Sequence, residues 1–356
     1  MMVFLVYMAL PIFLRWSFSI LRQRPIEISE KSKNAYLNIF GILMAMMIGL
    51  RSPAIGSGDT IVYCQFWDKM RLVSFSQLGT FLKATDFEYG FQLAVWLLTR
   101  FFDHSQWFLV LTGAFFAFSI CRFVKKNCRN VAVSLMVFNC LGLFNFMVQG
   151  MRQAIAMCIC LYAIEFCKKN RTMAFFMTVA LACTFHASAI VFLSLYFISK
   201  LELNVKNILA FSICAMLGIR LLPQIFGVIN TIINDDYALA TGSDEGGWIA
   251  TLIAVAIALF GVVFRDRQNK HFDMFVYMVL VGAICMLLRQ SVSAIAERVS
   301  FYFAFAQCVV ASNSLRTISN KRVGLLAGMA ISILCFFVAV HKASYSSLVP
   351  YRFFFQ

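Results

Sequence analysis

Long apolar runs separated by short polar connections constrain this chain more than any other feature of its sequence. A helix of about 20 apolar residues, with a range of about 17–25, spans the hydrocarbon core of a bilayer. The apolar segments are 2–20, 35–50, 87–103, 105–121, 131–148, 152–167, 173–199, 207–222, 248–264, 272–288, 299–315 and 323–340. We therefore expect an all-α, polytopic integral membrane protein with about 10–12 transmembrane or re-entrant helices.

Composition supports this interpretation. Hydrophobic residues make up 61% of the chain and charged residues 13%, whereas an ordinary soluble domain is about 45–50% apolar and about 25% charged. These values exclude a water-soluble enzyme and a disordered chain. Because no linker, repeat or low-complexity stretch divides the sequence, we expect residues 1–356 to form a single multispan domain.

Positive charge is concentrated in short connections between the apolar segments. The formal net charge is +15, which in a soluble protein would indicate a nucleic-acid partner. Here 19 of the 31 Lys and Arg residues lie in six connections, which the positive-inside rule assigns to the cytoplasmic side. The excess is an orientation signal, and we expect no nucleic-acid partner. The six connections are 21–34, 122–130, 168–171, 200–206, 265–270 and 316–322.

Two cytoplasmic connections must be separated by an even number of spans, and this count fails twice. Three apolar segments lie between 21–34 and 122–130, and a single segment of 27 residues lies between 168–171 and 200–206. We expect 173–199 to be bent into a re-entrant pair with its tip near residues 185–188, and 87–103 to enter and leave by one face. The alternative is that the charge rule is broken at a flanking connection.

Arginines also occur where the charge rule should deplete them. The long polar connections 51–86 and 223–247 are predicted to face outward, and several arginines lie at the same ends of the spans. An outward-facing cationic cavity would suit a lipid-linked phosphate or pyrophosphate, which arginine binds bidentately. These arginines are Arg51, Arg152, Arg220, Arg289 and Arg298.

Three ionisable residues are candidates for sugar binding or proton transfer. Asp59 follows a glycine-rich turn, Glu88 begins an apolar segment, and His186 is the sole His, Lys, Arg, Asp or Glu in 173–199. Each has a plain structural explanation: a helix cap, a helix N-terminus and a hydrogen bond to the backbone, respectively. The functional alternative is a general base or a ligand of sugar hydroxyls.

Metal and cofactor chemistry is not expected. Most of the twelve cysteines lie inside apolar runs, where cysteine behaves as a small hydrophobic residue. No CxxC pair has zinc-binding spacing, and the four histidines are scattered singly. We therefore expect no metal site and no cofactor.

Several short motifs occur together in an order that resembles a known family. The ordered set is similar to the EpsG-like branch of the Wzy polysaccharide polymerases, over nearly the whole chain. The motifs are Arg51…Gly56-Ser57-Gly58-Asp59-Thr60…Tyr63, Glu88-Tyr89-Gly90-Phe91, Arg152-Gln153-x-Ile155-Ala156, His186-Ala187-Ser188-Ala189, Arg298…Tyr302 and Pro350-Tyr351-Arg352.

The resemblance implies a metal-independent glycosyltransferase of the bacterial inner membrane. Such enzymes join oligosaccharide repeats carried on undecaprenyl pyrophosphate into O-antigen or another surface polysaccharide, on the periplasmic face. Expected partners are a Wzz-type chain-length regulator and a Wzx-type flippase. On this interpretation the pyrophosphate is bound by arginines, and the acceptor hydroxyl is activated by an acid or an imidazole. The arginines are Arg51, Arg152, Arg289 and Arg298; the candidates for the base are Asp59, Glu88 and His186.

Two other classes of membrane protein compete with this interpretation. A flippase or transporter of lipid-linked oligosaccharide would also have broken helices, but with charges near the midplane and an internal repeat. No repeat is visible, and the charges collect at one face. A membrane acyltransferase would need a histidine close to an acid, for which Asp103-His104 is the local candidate.

The lack of a metal-ligand cluster in the sequence generates the first prediction. Polymerisation by the purified protein should survive EDTA, measured as the length of polymer made from a lipid-linked repeat. Loss of activity in EDTA and its return with magnesium or manganese would contradict the prediction. The acid pairs Asp59 with Glu88, or Asp235 with Asp236, would then become candidate ligands.

Overall fold

The computed structural model describes residues 2–22, 30–55, 58–221, 224, 247–292, 294–343 and 348–356. Within these residues the chain forms sixteen α-helices and one 3-10 helix, and the β-pairing is confined to a single bridge between Arg51 and Phe353. The predicted all-α class is confirmed. Most of the predicted loop 223–247, including the acidic pair 235–236, lies outside the described residues.

The helices follow one another through short connections. They are α1 (Met2–Arg22), α2 (Glu30–Gly49), α3 (Gly58–Leu72), α4 (Phe75–Lys83), α5 (Tyr89–Leu98), α6 (Gln106–Asn127), α7 (Val131–Cys140), α8 (Leu143–Gln149), α9 (Met151–Lys168), α10 (Thr172–Cys183), the 3-10 helix (Ala187–Ser194), α11 (Leu195–Ile198), α12 (Val205–Arg220), α13 (Gly247–Val263), α14 (Phe272–Val292), α15 (Ala294–Thr317) and α16 (Lys321–Ala343).

Three described stretches of helix are long and apolar enough to cross a bilayer: Gln106–Asn127, Phe272–Arg289 and Arg322–His341. A fourth span is formed if α7 and α8 are taken together, since they are bent by 52° across a short break. Gly142 lies at this break with a φ of 103°, a backbone conformation that glycine adopts without steric cost. The chain is thus a polytopic membrane protein in which several predicted spans are shorter or broken helices.

The six positively charged connections meet at one end of the helix bundle, which we call the basic end. Among the residues that the structure describes, contacts join five of the connections to one another, and the sixth contacts Phe264 beside 265–270, so their shared charge predicted a shared location correctly. The contacts are Lys33 Nζ to Lys125 O (3.0 Å), Lys168 Nζ to Asn127 Oδ1 (2.7 Å), Arg129 Nε to Asp266 Oδ2 (3.0 Å), Arg265 Nη1 to Leu203 O (3.5 Å) and Thr317 Oγ1 to Phe264 O (3.3 Å).

The predicted break in 173–199 is confirmed. Helix α10 ends at Cys183, and the chain returns through the 3-10 helix and α11. The two legs are antiparallel, because the rings of Phe175 and Phe176 near the start of α10 lie 6.3 and 5.5 Å from the ring of Tyr196 near the end of the return. A helix the length of α10 extends about 18 Å, less than the roughly 30 Å of a hydrocarbon core. Residues 172–198 therefore form a re-entrant hairpin.

Segment 87–103 is also not a span. Its helix α5 has 10 residues, which is too short to cross the membrane. Both of its ends pack on α3 and the residues just after it: the ring of Phe87 lies 4.7 Å from that of Phe66, and Trp96 Nε1 donates to Val73 O at 2.9 Å. The segment enters and leaves on one side, as the count of spans predicted.

The tip of the hairpin docks on the start of α5. The backbone N–H groups of Gly90 and Phe91 both donate to the carbonyl of Thr184, at 2.9 and 3.2 Å. This approach requires glycine, because a Cβ atom at position 90 would lie 2.7 Å from the carbonyl oxygen of Thr184 and closer still to its hydroxyl. The close contact fixes how deeply the hairpin tip enters the bundle.

Gly90→Ala should therefore loosen this docking. We expect the free energy of unfolding to fall by roughly 1–3 kcal/mol, the usual cost of overpacking, measured by thermal unfolding of the detergent-purified protein. The control is Gly79→Ala, because a Cβ at position 79 meets nothing within 4 Å. A Gly90→Ala variant as stable as the control would contradict the docking.

Candidate active site

The carboxylate of Glu88 lies at the centre of a buried polar cluster. Its side chain is 7% exposed, and Oε2 accepts a hydrogen bond from Arg152 Nη1 at 2.6 Å. Oε1 lies 2.9 Å from His186 Nδ1 and accepts from the backbone N–H of Ala187 at 3.1 Å. A buried carboxylate is stable only when it is paired and hydrogen-bonded in this way. We call Glu88, Arg152 and His186 the Glu88 cluster.

Each member of the cluster lies where a helix begins. Glu88 has extended backbone immediately before α5, and His186 has extended backbone immediately before the 3-10 helix. Arg152 is in the first turn of α9, after Gly150. Helix starts carry backbone N–H groups without partners inside the helix, and one of them, the N–H of Ala187, is used to bind Glu88. The cluster thus depends on three chain turns meeting at one point.

Arg152 is supported by aromatic rings. Its guanidinium carbon lies 4.5 Å from the centroid of the Phe87 ring and 5.9 Å from that of Tyr63, and Nε lies 3.5 Å from the Tyr63 hydroxyl. Stacking on aromatic faces holds the plane of a guanidinium in one orientation. The Arg152 side chain is 19% exposed, compared with 5% for His186, so it is the most open member of the cluster.

Helix α15 contacts the residues that follow Arg152 and His186 in the chain. Gln153 Nε2 donates to the backbone carbonyl of Arg298 at 2.7 Å, and the hydroxyls of Ser188 and Tyr302 are 3.0 Å apart. Arg298 itself is exposed. The sequence motifs contained Gln153, Ser188 and Tyr302, but no spacing indicated that they would fasten α9 and the hairpin to α15.

Arg51 does not line an open cavity with the other arginines, and that expectation was wrong. It is fully buried, and its guanidinium donates to Ile55 O, to Thr60 Oγ1 at 3.1 Å and to Val148 O at 3.1 Å. Burial lowers the pKa of Arg51 to about 10, so the group stays protonated at neutral pH. Because Nη1 and Nη2 donate to acceptors of the protein, Arg51 holds the loop after α2 against α8.

The other predicted site residues have surroundings of their own. Arg289 forms an ion pair with Glu297, with 3.2 Å between Nε and Oε2. Asp59 is exposed in the first turn of α3, where helix dipoles favour an acid, and Arg220 is exposed at the end of α12. The structure therefore brings together Glu88, His186 and Arg152 from the predicted set.

The pair proposed for acyl transfer belongs to a turn. His104 Nδ1 accepts from the backbone N–H of Gln106 at 3.0 Å, and the carbonyl of Asp103 accepts from Arg71 at 3.3 Å. These contacts stabilise the connection between α5 and α6.

The fold and the cluster define a polytopic membrane protein with a carboxylate, an imidazole and a guanidinium buried between three helix starts. Its sequence matches the model of the EpsG family over residues 34–353, and the chain belongs to this family. It is thus a membrane enzyme of polysaccharide-polymerase type, and the resemblance seen in the motifs is confirmed. No curated protein and no solved structure matches the chain.

The contrast between Arg152 and Arg51 gives a prediction. Lysine keeps the positive charge but lacks the planar set of N–H donors of a guanidinium group. The Arg152→Lys variant should therefore make polymer at a rate about 10²-fold lower, the usual effect of removing one donor from a charge-stabilising site. The amount of folded protein should be normal. Arg51→Lys should instead lower the free energy of unfolding by about 1–3 kcal/mol, because buried carbonyls lose their donors.

The amount and length of polymer formed over time are measured by gel. The amount of folded protein is measured by gel filtration in detergent, and the free energy of unfolding by thermal unfolding. Arg220→Lys is the matched control, since this arginine is exposed and should change none of these quantities. Full-length polymer from the Arg152→Lys variant, or unaltered stability of the Arg51→Lys variant, would contradict the division of roles.

Proposed function

We propose that the protein is an inner-membrane glycosyltransferase that polymerises undecaprenyl-pyrophosphate-linked oligosaccharide repeats into O-antigen or a related surface polysaccharide. The observation that carries the proposal is the Glu88 cluster, in which Glu88 joins His186 to Arg152. It offers a base for a sugar hydroxyl beside a cation for a phosphate, the two groups that such a transfer requires. The region that matches the EpsG family includes all three positions.

The distribution of positive charge supports a periplasmic location for the proposed reaction. The positive-inside rule assigns the basic end to the cytoplasm. Helices α6 and α9 run between that end and the opposite one, where Arg152 lies in the first turn of α9. On this topology the Glu88 cluster faces the periplasm, the side on which lipid-linked repeats are polymerised in the family that the chain resembles.

In the proposed reaction, the acceptor hydroxyl attacks the anomeric carbon of the growing chain. A new C–O bond forms, the bond from the anomeric carbon to pyrophosphate oxygen breaks, and the hydroxyl proton passes to His186. Nδ1 of His186 would donate to Glu88, which leaves Nε2 as the basic nitrogen and stabilises the imidazolium that forms. Glu88 would therefore orient the base rather than act as the base itself.

Arg152 would stabilise the leaving pyrophosphate. Its Nη1 donates to Glu88, and the positive charge of its partly exposed guanidinium would lie beside the phosphate oxygens. Exposed Arg298 would add a second charge at the rim, with Arg289 further along the same helix pair. These cations would stabilise the negative charge that develops on the leaving group, which other transferases stabilise with a divalent metal. A Wzz-type chain-length regulator and a Wzx-type flippase are the proposed partners.

A flippase or transporter of the same lipid-linked substrate is the second candidate function. The re-entrant hairpin at residues 172–198 favours it, because discontinuous helices with polar tips also form transport sites.

Deletion of the gene in its host distinguishes the two functions. A polymerase mutant should retain surface glycolipid with a single repeat, whereas a flippase mutant should lose all surface repeats. Complementation with His186→Ala should give the single-repeat phenotype at normal membrane protein level. His104→Ala, which alters an imidazole in a turn, should restore long chains. Long chains from the His186→Ala variant would contradict the proposed site.

A further inference from the structure

The C-terminal residues border a cavity that lies outside the Glu88 cluster. Residues 348–356 fold back over the loop after α2 and form with it an open cavity of about 490 Å³. Its lining includes Ser52 and Ile55 from the loop, and Arg352, Phe354 and Gln356 from the tail. We call it the tail cavity.

The tail is fixed to the loop by backbone pairing. Ser52 N donates to Arg352 O at 2.9 Å, and Phe354 N donates to Leu50 O at 3.0 Å. Tyr351 Oη donates to Met47 O at 2.9 Å, and burial raises the pKa of Tyr351 to about 12, so this donor remains protonated. The cavity is therefore formed before any ligand arrives, which lowers the entropic cost of binding.

The chemistry of the lining suits a saccharide. Phe353 and Phe354 supply apolar ring surface, and Ser52, Gln356 and Arg352 supply hydroxyl, amide and guanidinium groups. A sugar ring presents an apolar C–H face and a rim of hydroxyls. Concave sites with aromatic walls and a few polar groups bind small polar ligands of this kind. The guanidinium group of exposed Arg352 has hydrogen-bond donors and no acceptor, which favours binding of sugar hydroxyl oxygens or of the carboxylate of an acidic sugar.

Successive side-chain contacts connect the tail cavity to the Glu88 cluster. Arg51 donates to the carbonyl of Ile55, which lines the cavity, and to Thr60 Oγ1 on α3. One turn after Thr60, the hydroxyl of Tyr63 lies 3.5 Å from Arg152 Nε. A chain of direct contacts thus runs from the lining of the cavity to the cluster.

We propose that the tail cavity is a saccharide subsite, which binds a sugar of the repeat unit while a neighbouring sugar lies at the Glu88 cluster. The proposal rests on the proposed function and deepens it, because it assigns recognition of the glycan to the C-terminal tail. Sugar recognition and transfer then belong to separate residues, and each can be altered without the other.

The test is binding of the free oligosaccharide repeat, released from its lipid carrier by mild acid, to the full-length protein in nanodiscs. Arg352→Ala and Phe354→Ala should each weaken binding roughly tenfold, the order expected for losing one charged donor or one aromatic contact. Phe101→Ala is the matched control: this ring is exposed on the connection between α5 and α6 and does not line the cavity. Its binding should equal that of the unaltered protein.

The outcomes separate this proposal from the proposed function. The Glu88→Gln variant should transfer the repeat at a much lower rate, while its binding of the free repeat should still depend on Arg352 and Phe354. If the unaltered protein makes polymer but its binding of the repeat depends on neither Arg352 nor Phe354, the subsite is overturned and the function stays intact. Normal polymer from the Glu88→Gln variant would overturn the catalytic assignment alone.

Two further results would also overturn the subsite. Displacement of the repeat by equimolar inorganic pyrophosphate would mean that Arg352 binds phosphate. Unchanged repeat binding by the Phe354→Ala variant, together with a lower stability in nanodiscs, would mean that the ring only anchors the tail at the lipid interface.

Discussion

The buried carboxylate of Glu88 is the interaction on which the arrangement of the outer helices depends. It binds Arg152 at the start of α9 and both His186 and the Ala187 N–H at the tip of the hairpin. Removing one partner of a buried ion pair leaves an uncompensated charge and costs about 3–5 kcal/mol. The hairpin must therefore stop at the depth where its tip reaches Glu88, which explains why residues 172–198 turn back instead of crossing the bundle.

Two arginines at the ends of spans show how similar sequence positions acquire different roles. Arg51 donates to two backbone carbonyls and a threonine hydroxyl and is fully buried. Arg152 is bound by a carboxylate and stacked on an aromatic ring, and it remains partly exposed. The first connects the lining of the tail cavity to α3, whereas the second keeps part of its charged surface open to a substrate. An arginine whose N–H groups donate to acceptors of the protein has few donors left to bind a phosphate.

Much of the fold could be predicted from charge and length. The six basic connections meet at one end because each obeys the same rule independently, and counting spans between them placed breaks in 87–103 and 173–199 correctly. The pairing within the site could not be predicted this way, because Glu88 and His186 are separated by 98 positions and no local spacing links them. The burial of Arg51 was missed for the same reason. Gly90 carried a usable signal, since a glycine at a helix start indicates a close approach, here by Thr184.

Transfer of one labelled lipid-linked repeat by the purified Glu88→Gln variant tests the central claim most directly. Glutamine keeps the shape of the side chain and an acceptor for the Ala187 N–H, but it removes the charge that orients His186 and Arg152. We predict that the rate of single transfer falls by about 10²–10⁴-fold, the range for general acid–base catalysis, while gel filtration shows a folded protein. A Glu88→Gln variant that transfers the repeat at the unaltered rate would contradict the account.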